Sequence, residues 1–184
     1  LILIFLPESL HEKNLGNKIE VKPITSSILA LRNEKFRDLF VTNFIYITAF
    51  SRMQITVALL WEQHYGLTEE HIGYMFAFIG LASAIVQGGL IGWLTRTFGE
   101  EKLMIIGCIL LALGLLMIPF VPPAYFVPFA FIPLLFLSLA NGCMMPSISS
   151  LLSRSAEKKE QGQVLGMNQS FGSLARVIGP TLGG

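Results

Sequence analysis

The sequence carries little charge for its length. Lys, Arg, Asp and Glu make up 14% of its 184 residues, whereas soluble domains carry about 25%. The few charges are clustered, which leaves apolar runs of roughly twenty residues, the length that crosses a bilayer core of about 30 Å. A soluble protein would need those charges spread over its surface, so this distribution indicates an integral membrane protein.

The sequence also lacks a large net charge, a cysteine framework and a catalytic motif, and each absence argues against a class of protein. The net charge is +1, which gives no electrostatic argument for nucleic-acid binding. The two cysteines, Cys108 and Cys143, lie inside apolar runs, and the three histidines show no ligand spacing. We therefore expect no disulfide framework, metal site or cofactor. No nucleophile with a matching base is evident either, so we do not expect an enzyme.

The apolar runs predict an all-α bundle of transmembrane helices. Residues 1–7 are interpreted as the end of a preceding transmembrane helix, and residues 8–38 as a central cytoplasmic loop. The rest, residues 39–184, is predicted to be a transmembrane bundle whose last helix is incomplete. We expect its helices at about 39–61, 72–94, 103–121, 124–152 and 162–184.

Basic residues are concentrated in alternate loops. The stretches 8–38, 95–102 and 153–161 hold eleven of the 13 Lys and Arg residues, whereas the links 62–71 and 122–124 hold none. Because cytoplasmic loops retain an excess of positive charge, we predict that the first set is cytoplasmic. The membrane is expected to be a plasma membrane or a bacterial inner membrane.

Two arginines lie within the predicted spans, where charge is costly and usually functional. Arg52 is about thirteen residues, or roughly 20 Å, from the cytoplasmic end of its span, and Arg176 has a similar depth. Each either faces a transport pathway, reaches the outer headgroups, or pairs with a carboxylate elsewhere. Gln54, Asn141 and Gln169 are predicted to line a substrate site with them, and the alternative for these amides is interhelical hydrogen bonding.

Acidic residues are absent from the predicted spans, because every Asp and Glu lies in a loop or at a span end. Proton-coupled transport typically uses a titratable group within the membrane, most often a carboxylate. If the protein is driven by protons, we therefore expect its proton carrier to lie outside these residues.

Small residues recur every four positions along the second span, including Gly80 and Gly88. Such a repeat predicts a ridge on which another helix packs closely. Gly179, Pro180 and Gly183 near the end of the fifth span are also assigned to helix packing, because Gly and Pro there permit close contact and a bend.

The link after the second span resembles a known loop motif. Members of the major facilitator superfamily carry G-x-x-x-D-R-x-G-R-R/K in a cytoplasmic turn, and residues 92–102 read Gly-Trp-Leu-Thr-Arg-Thr-Phe-Gly-Glu-Glu-Lys. Gly92 and Gly99 match the motif, Arg96 stands where it has Asp, and two basic positions are Glu. The resemblance implies that these three residues and Lys102 belong to a gating loop.

Two further segments are similar to the drug:proton antiporter branch of this superfamily, which includes tetracycline efflux proteins. They are Phe-Leu-Pro-Glu-Ser at residues 5–9, and residues 162–184 with their Gly-Pro-x-x-Gly-Gly ending. The resemblance covers nearly the whole chain and implies the C-terminal half of a major facilitator fold, truncated. It implies proton-coupled efflux of drugs or small organic solutes by alternating access, and a role in antibiotic resistance. The partners would be the substrate, protons, the lipid bilayer and the missing N-terminal half.

Other functions remain open at this point. The same fold could serve a uniporter or importer of a metabolite, an anionic one given two arginines and no acid. Transport direction and proton dependence would distinguish this alternative from efflux. A membrane scaffold or sensor is a further alternative, and it predicts no flux of any solute. A channel is disfavoured, since the sequence shows no repeated ring of charged or carbonyl groups.

Overall fold

The computed structural model describes residues 34–122, 126–158 and 160–182. The predicted tail of a preceding helix and most of the predicted loop 8–38 lie outside these residues. Those described form helices joined by short turns, with no strand among them. The helices are α1 Glu34–Tyr65, α2 Glu69–Phe98, α3 Glu100–Met117, α4 Phe126–Ser155 and α5 Gln161–Thr181.

Four of these helices, α1 to α4, are long and apolar enough to cross a membrane by length and composition. Helix α5 has 21 residues but is not among them, because polar side chains such as Gln169, Ser173 and Arg176 lower its hydropathy. The all-α fold with several transmembrane helices, predicted from the apolar runs, is confirmed.

The turn between α2 and α3 is shorter than the sequence predicts. A polar turn is expected over residues 95–102, whereas α2 continues to Phe98 and α3 begins at Glu100. Gly99 is left between them with φ +79°. Only glycine adopts this backbone conformation readily, which explains how two long helices reverse direction in so short a turn.

Other helices also extend beyond their apolar runs. Helix α1 begins at Glu34, inside the predicted loop 8–38. The predicted loop 153–161 is helical as far as Ser155 and again from Gln161. The hydrocarbon core accounts for about 30 Å of a bilayer that is about 40–45 Å thick with its headgroups. Helices can therefore continue through the polar layer, where the apolar pattern no longer marks them.

Helices α1 and α5 lie side by side and run in the same direction. Two hydrogen bonds join them, from Asn43 to Asn168 and from Ser51 to the carbonyl of Arg176, and both pairs are 125 residues apart. The constant separation means that residue numbers rise together along both helices. These two helices are therefore parallel, with a fixed register.

Helices α2 and α4 are also parallel. Ser83 Oγ donates a hydrogen bond to the carbonyl of Ser138 at 3.1 Å. Three residues further along α2, Val86 lies against Gly142 of α4, where an added Cβ would be 2.7 Å from the valine Cβ. Residue numbers therefore increase in the same direction along the two helices. The absence of a side chain at Gly142 makes room for Val86.

Helices α3 and α4 are antiparallel and in close contact. Gly107 faces Met144, and an added Cβ there would be 3.3 Å from the methionine Cβ. Gly114, two turns later on α3, faces Leu137, two turns earlier on α4. Glycines on α3 therefore admit the large apolar side chains of α4, whose central residues are the most buried in the bundle.

These helix directions place the turn at Gly99 and the link between α4 and α5 at one end of the bundle. The links after α1 and α3 lie at the other end, where described residues 62–71 and 121–122 include no Lys or Arg. Apart from Arg52 and Arg176, the Lys and Arg residues whose side chains the structure describes lie at the first end: Arg37, Arg96, Lys102, Arg154 and Lys158. This asymmetry has the pattern expected if the first end faces the cytoplasm.

Helix α2 contains a π-helical turn at Val86–Leu90. Such a turn holds one residue more than an α-helical turn, and each residue rotates the side-chain direction by about 100°. The predicted ridge assumed an unbroken helical period. An added Cβ at Gly80 or Gly88 would meet no atom within 4 Å, so the ridge does not pack on any helix that the structure describes. Gly183 lies outside the described residues.

The contact at Gly179 gives a testable prediction. An added Cβ would be 2.8 Å from the carbonyl oxygen of Thr48 and 3.2 Å from the backbone nitrogen of Arg52. Gly179→Ala must therefore separate α1 from α5, and we expect a loss of about 1–3 kcal/mol in stability. Thermal unfolding of the purified full-length protein in detergent measures this loss.

Gly166→Ala is the matched control on the same helix, because its Cβ would meet nothing within 4 Å. Alanine is a better helix former than glycine by about 1 kcal/mol, so this variant should keep or gain stability. Equal stability of the two variants would contradict the close contact of α1 with α5.

Candidate functional site

A pair of buried amides lies at the centre of the contact between α1 and α5. Asn43 Nδ2 donates a hydrogen bond of 2.7 Å to Asn168 Oδ1, and the two residues are 1% and 7% exposed. The face of α5 that carries Asn168 continues through Gly172, Ala175 and Gly179, all of them buried. These small residues let α1 approach closely enough for the amides to meet, so Asn43 serves helix association.

Among the described residues, three buried polar atoms have no hydrogen-bond partner: Asn43 Oδ1, Tyr46 Oη and Ser147 Oγ. A polar group without a partner in an apolar environment is costly. Tyr46 also lines a hollow of about 320 Å³ between α1 and α3, together with Cys108 and mostly apolar side chains. Its hydroxyl oxygen is itself buried within the packed helices.

The polar stripe predicted on α5 lies on one flank of the helix. Gln169, Ser173 and Arg176 are all exposed, and at about 100° per residue their directions fall within about 60° of one another. Ser173 Oγ donates to the carbonyl of Gln169 at 2.9 Å. An added Cβ at Gly172 would be 3.9 Å from Arg176 Nη1, an ordinary van der Waals distance, so the guanidinium lies beside this glycine.

Arg52 lies in a different environment from Arg176. It lines a hollow of about 280 Å³ with Thr56, Gln63, Pro180 and three aliphatic side chains of α1. Arg176, Gln169 and Gln54 do not line this hollow. The structure therefore does not bring the five predicted substrate-binding residues into one pocket formed by the described part of the chain.

The remaining predicted amides are separated from the stripe on α5. Gln54 is exposed on α1, about 160° around that helix from Arg52. Asn141 is half-buried on α4 and directly precedes Gly142, where α4 meets α2. It lies on α4 and therefore outside the contact of α1 with α5. The role of these residues in substrate binding stays a prediction.

The predicted gating loop has an ionic contact that the sequence did not reveal. Glu100, the first residue of α3, accepts hydrogen bonds from Arg154 Nη1 at 2.8 Å and from Ser150 Oγ at 3.0 Å. Both partners lie in the last turns of α4. This contact connects the turn at Gly99 to the C-terminal end of α4. Gly92, Arg96 and Lys102 are exposed at this end of the bundle.

Sequence reasoning missed Asn168 and Glu100. A signal for Asn168 was present, because it shares its helical face with three small residues, a combination typical of helix contacts in membranes. A signal for Glu100 was weaker. It replaces a basic position of the loop motif, and its partner Arg154 is 54 residues away in the sequence.

The fold and the site together define a class of protein. It is an integral membrane protein of several helices, in which two parallel helix pairs bury small polar groups and one helix exposes a polar flank. The family sequence model of the Major Facilitator Superfamily matches residues 1–180. The chain therefore belongs to this superfamily.

Several curated proteins are similar to the chain. Major facilitator superfamily domain-containing protein 10 of Bos taurus is 30% identical over 152 residues, which cover 83% of this chain and 32% of that protein. Tetracycline resistance protein, class C, of Escherichia coli is 29% identical over 74% of this chain and 35% of its own length. Multidrug resistance protein 2 of Bacillus subtilis is 27% identical over 79% of this chain and 35% of its own length.

The chain thus spans about a third to less than half of the curated relatives that it matches. The comparison with solved structures gives no significant match.

The buried amide pair leads to the second prediction. Asn168→Leu leaves the Asn43 amide buried without its partner, and we expect a loss of about 1–3 kcal/mol in stability. Asn43→Leu should cost a similar amount. The double variant removes both polar groups, so its loss should be smaller than the sum of the single losses.

Thermal unfolding of wild type, both single variants and the double variant provides the measurement. Losses that add up within about 0.5 kcal/mol would show that the two amides do not interact.

Proposed function

We propose that this chain is the C-terminal half of a secondary active transporter that exports drugs or small organic solutes. Alternating access would come from rocking this half against an N-terminal half, with the substrate bound near the midplane. Export would be coupled to protons, and their carrier would lie outside these residues. The site of action would be a plasma membrane or a bacterial inner membrane, and no enzymatic step is proposed.

The observation that carries this proposal is the exposed polar flank of α5. Gln169, Ser173 and Arg176 lie along about two turns of a helix that packs beside apolar transmembrane helices. Polar side chains at membrane depth usually face a cavity or the interior of a bundle. A flank that no described helix covers is what a transport pathway between two halves requires.

The relatives support the direction of transport. They include tetracycline resistance and multidrug resistance proteins, and such resistance is consistent with export. Gln54, Asn141, Gln169 and Arg176 are proposed to contact the substrate, with Arg52 as a further contact from the other side of α1. The turn around Gly99, with its Glu100–Arg154 ion pair, is proposed to belong to the cytoplasmic gate.

Transport by the full-length protein is the test. It is reconstituted in proteoliposomes, a pH gradient is imposed, and accumulation of tetracycline and of a lipophilic cationic dye is followed. We expect gradient-dependent flux, with kcat/KM reduced about tenfold in Gln54→Ala, which corresponds to about 1.4 kcal/mol of lost transition-state stabilisation.

Gln163→Ala is the matched control, because it removes another exposed glutamine, in the first turn of α5 and away from the hollow that Arg52 lines. Its flux should stay within twofold of wild type. Flux that does not respond to the pH gradient would favour a uniporter or importer of the same fold. A folded protein that moves no tested solute would refute export of these compounds and favour a scaffold or sensor.

A further inference from the structure

The two arginines inside the bundle lie at nearly the same depth. Ser51, the neighbour of Arg52, donates a hydrogen bond to the carbonyl of Arg176 at 3.4 Å. The backbone nitrogen of Arg52 is 3.2 Å from the Cβ position of Gly179, less than one turn beyond Arg176. Depth in the membrane therefore does not distinguish the two cations.

The side of the helix pair does distinguish them. The contact of Ile47 with Gly172 marks the direction in which the two helices face each other. Relative to this direction, the side chain of Arg52 is rotated by about 140° around α1 and that of Ser173 by about 100° around α5. Both rotations have the same sense. When two parallel helices lie side by side, positions rotated in the same sense from their contact face opposite sides of the pair. Arg52 thus faces one groove and lines a hollow along α1 that reaches Pro180 only at the end of α5. Arg176 faces the other groove together with Ser173 and Gln169.

Arg176 has no carboxylate partner among the residues that the structure describes. The ion pairs between described residues join Arg37 to Asp38 and Arg154 to Glu100, both at helix ends. No Asp or Glu occurs in the apolar part of any predicted span. A guanidinium at this depth is strongly unfavourable without a compensating negative charge. That charge can come from the outer headgroups, from the cargo or from another part of the protein.

We propose that the cargo supplies it, so that the substrate is an amphipathic organic anion whose acidic group binds Arg176. This inference rests on the proposed transport function and narrows its substrate class. A planar guanidinium forms two parallel hydrogen bonds with a carboxylate, sulfonate or phosphate group. The amide of Gln169 lies on the same flank and offers further donors. The apolar body of the cargo would contact the aliphatic side chains beside the flank.

Fluorescein and rhodamine 6G are suitable probes, because they share a xanthene ring system but carry opposite charge. The full-length protein is reconstituted in proteoliposomes, and flux of each dye is measured for wild type, Arg176→Gln and Arg176→Lys. We expect Arg176→Gln to lose at least tenfold in kcat/KM for fluorescein and less than twofold for rhodamine 6G. Arg176→Lys keeps the positive charge and should recover part of the fluorescein flux.

Arg52→Gln removes the same charge at the same depth from the opposite groove. Its effect on fluorescein flux should be at least fivefold smaller than that of Arg176→Gln. Fluorescence polarisation of fluorescein with the purified protein adds a binding readout that does not depend on transport, and Arg176→Gln should weaken this binding at least tenfold.

The possible failures are distinguishable. If wild type moves rhodamine 6G but neither moves nor binds fluorescein, the anionic substrate class is refuted and the proposed transport function stands. If Arg176→Gln impairs both dyes equally in a folded protein, Arg176 pairs with a carboxylate of the protein and the inference is wrong. If wild type moves neither dye and binds neither, the proposed function and this inference both fail.

Discussion

Close contact between helix backbones at glycines holds the described bundle together. Lipid tails are as apolar as leucine, so helices in a bilayer associate through packing and hydrogen bonds rather than through the hydrophobic effect. Gly107 and Gly114 admit α4 against α3, Gly142 admits Val86 of α2, and Gly179 meets the backbone of α1. These contacts fix which polar groups face each other, and Gln169, Ser173 and Arg176 are left on the open flank of α5.

Much of the fold could be predicted from the sequence, because its signals are local. The length of an apolar run indicates a helix that spans the bilayer, and basic residues in alternate loops indicate which ends lie together. The loop pattern around Gly92 and Gly99, together with the segments 5–9 and 162–184, suggested the superfamily. None of these signals depends on a contact between distant residues.

The details of the site could not be predicted, because they depend on helix phase and on distant partners. Asn168 and Gln169 are neighbours in sequence, yet one is 7% exposed against α1 and the other is exposed on the open flank. Gly80 and Gly88 were predicted to pack on another helix, yet no described helix lies against either of them. Arg52 and Arg176 have the same charge and depth, and only the directions of α1 and α5 reveal that they face different grooves.

The fixed register of α1 and α5 has a consequence for which changes in chain length this protein can accept. Asn43 and Ser51 meet partners that are both 125 residues away, so a residue inserted between them would turn one contact away by about 100°. The same insertion in the link at Gly66, or in that between α4 and α5, changes only the length of a connection. Natural variants of this chain should therefore differ in length at those links and keep the eight-residue interval from Asn43 to Ser51 unchanged.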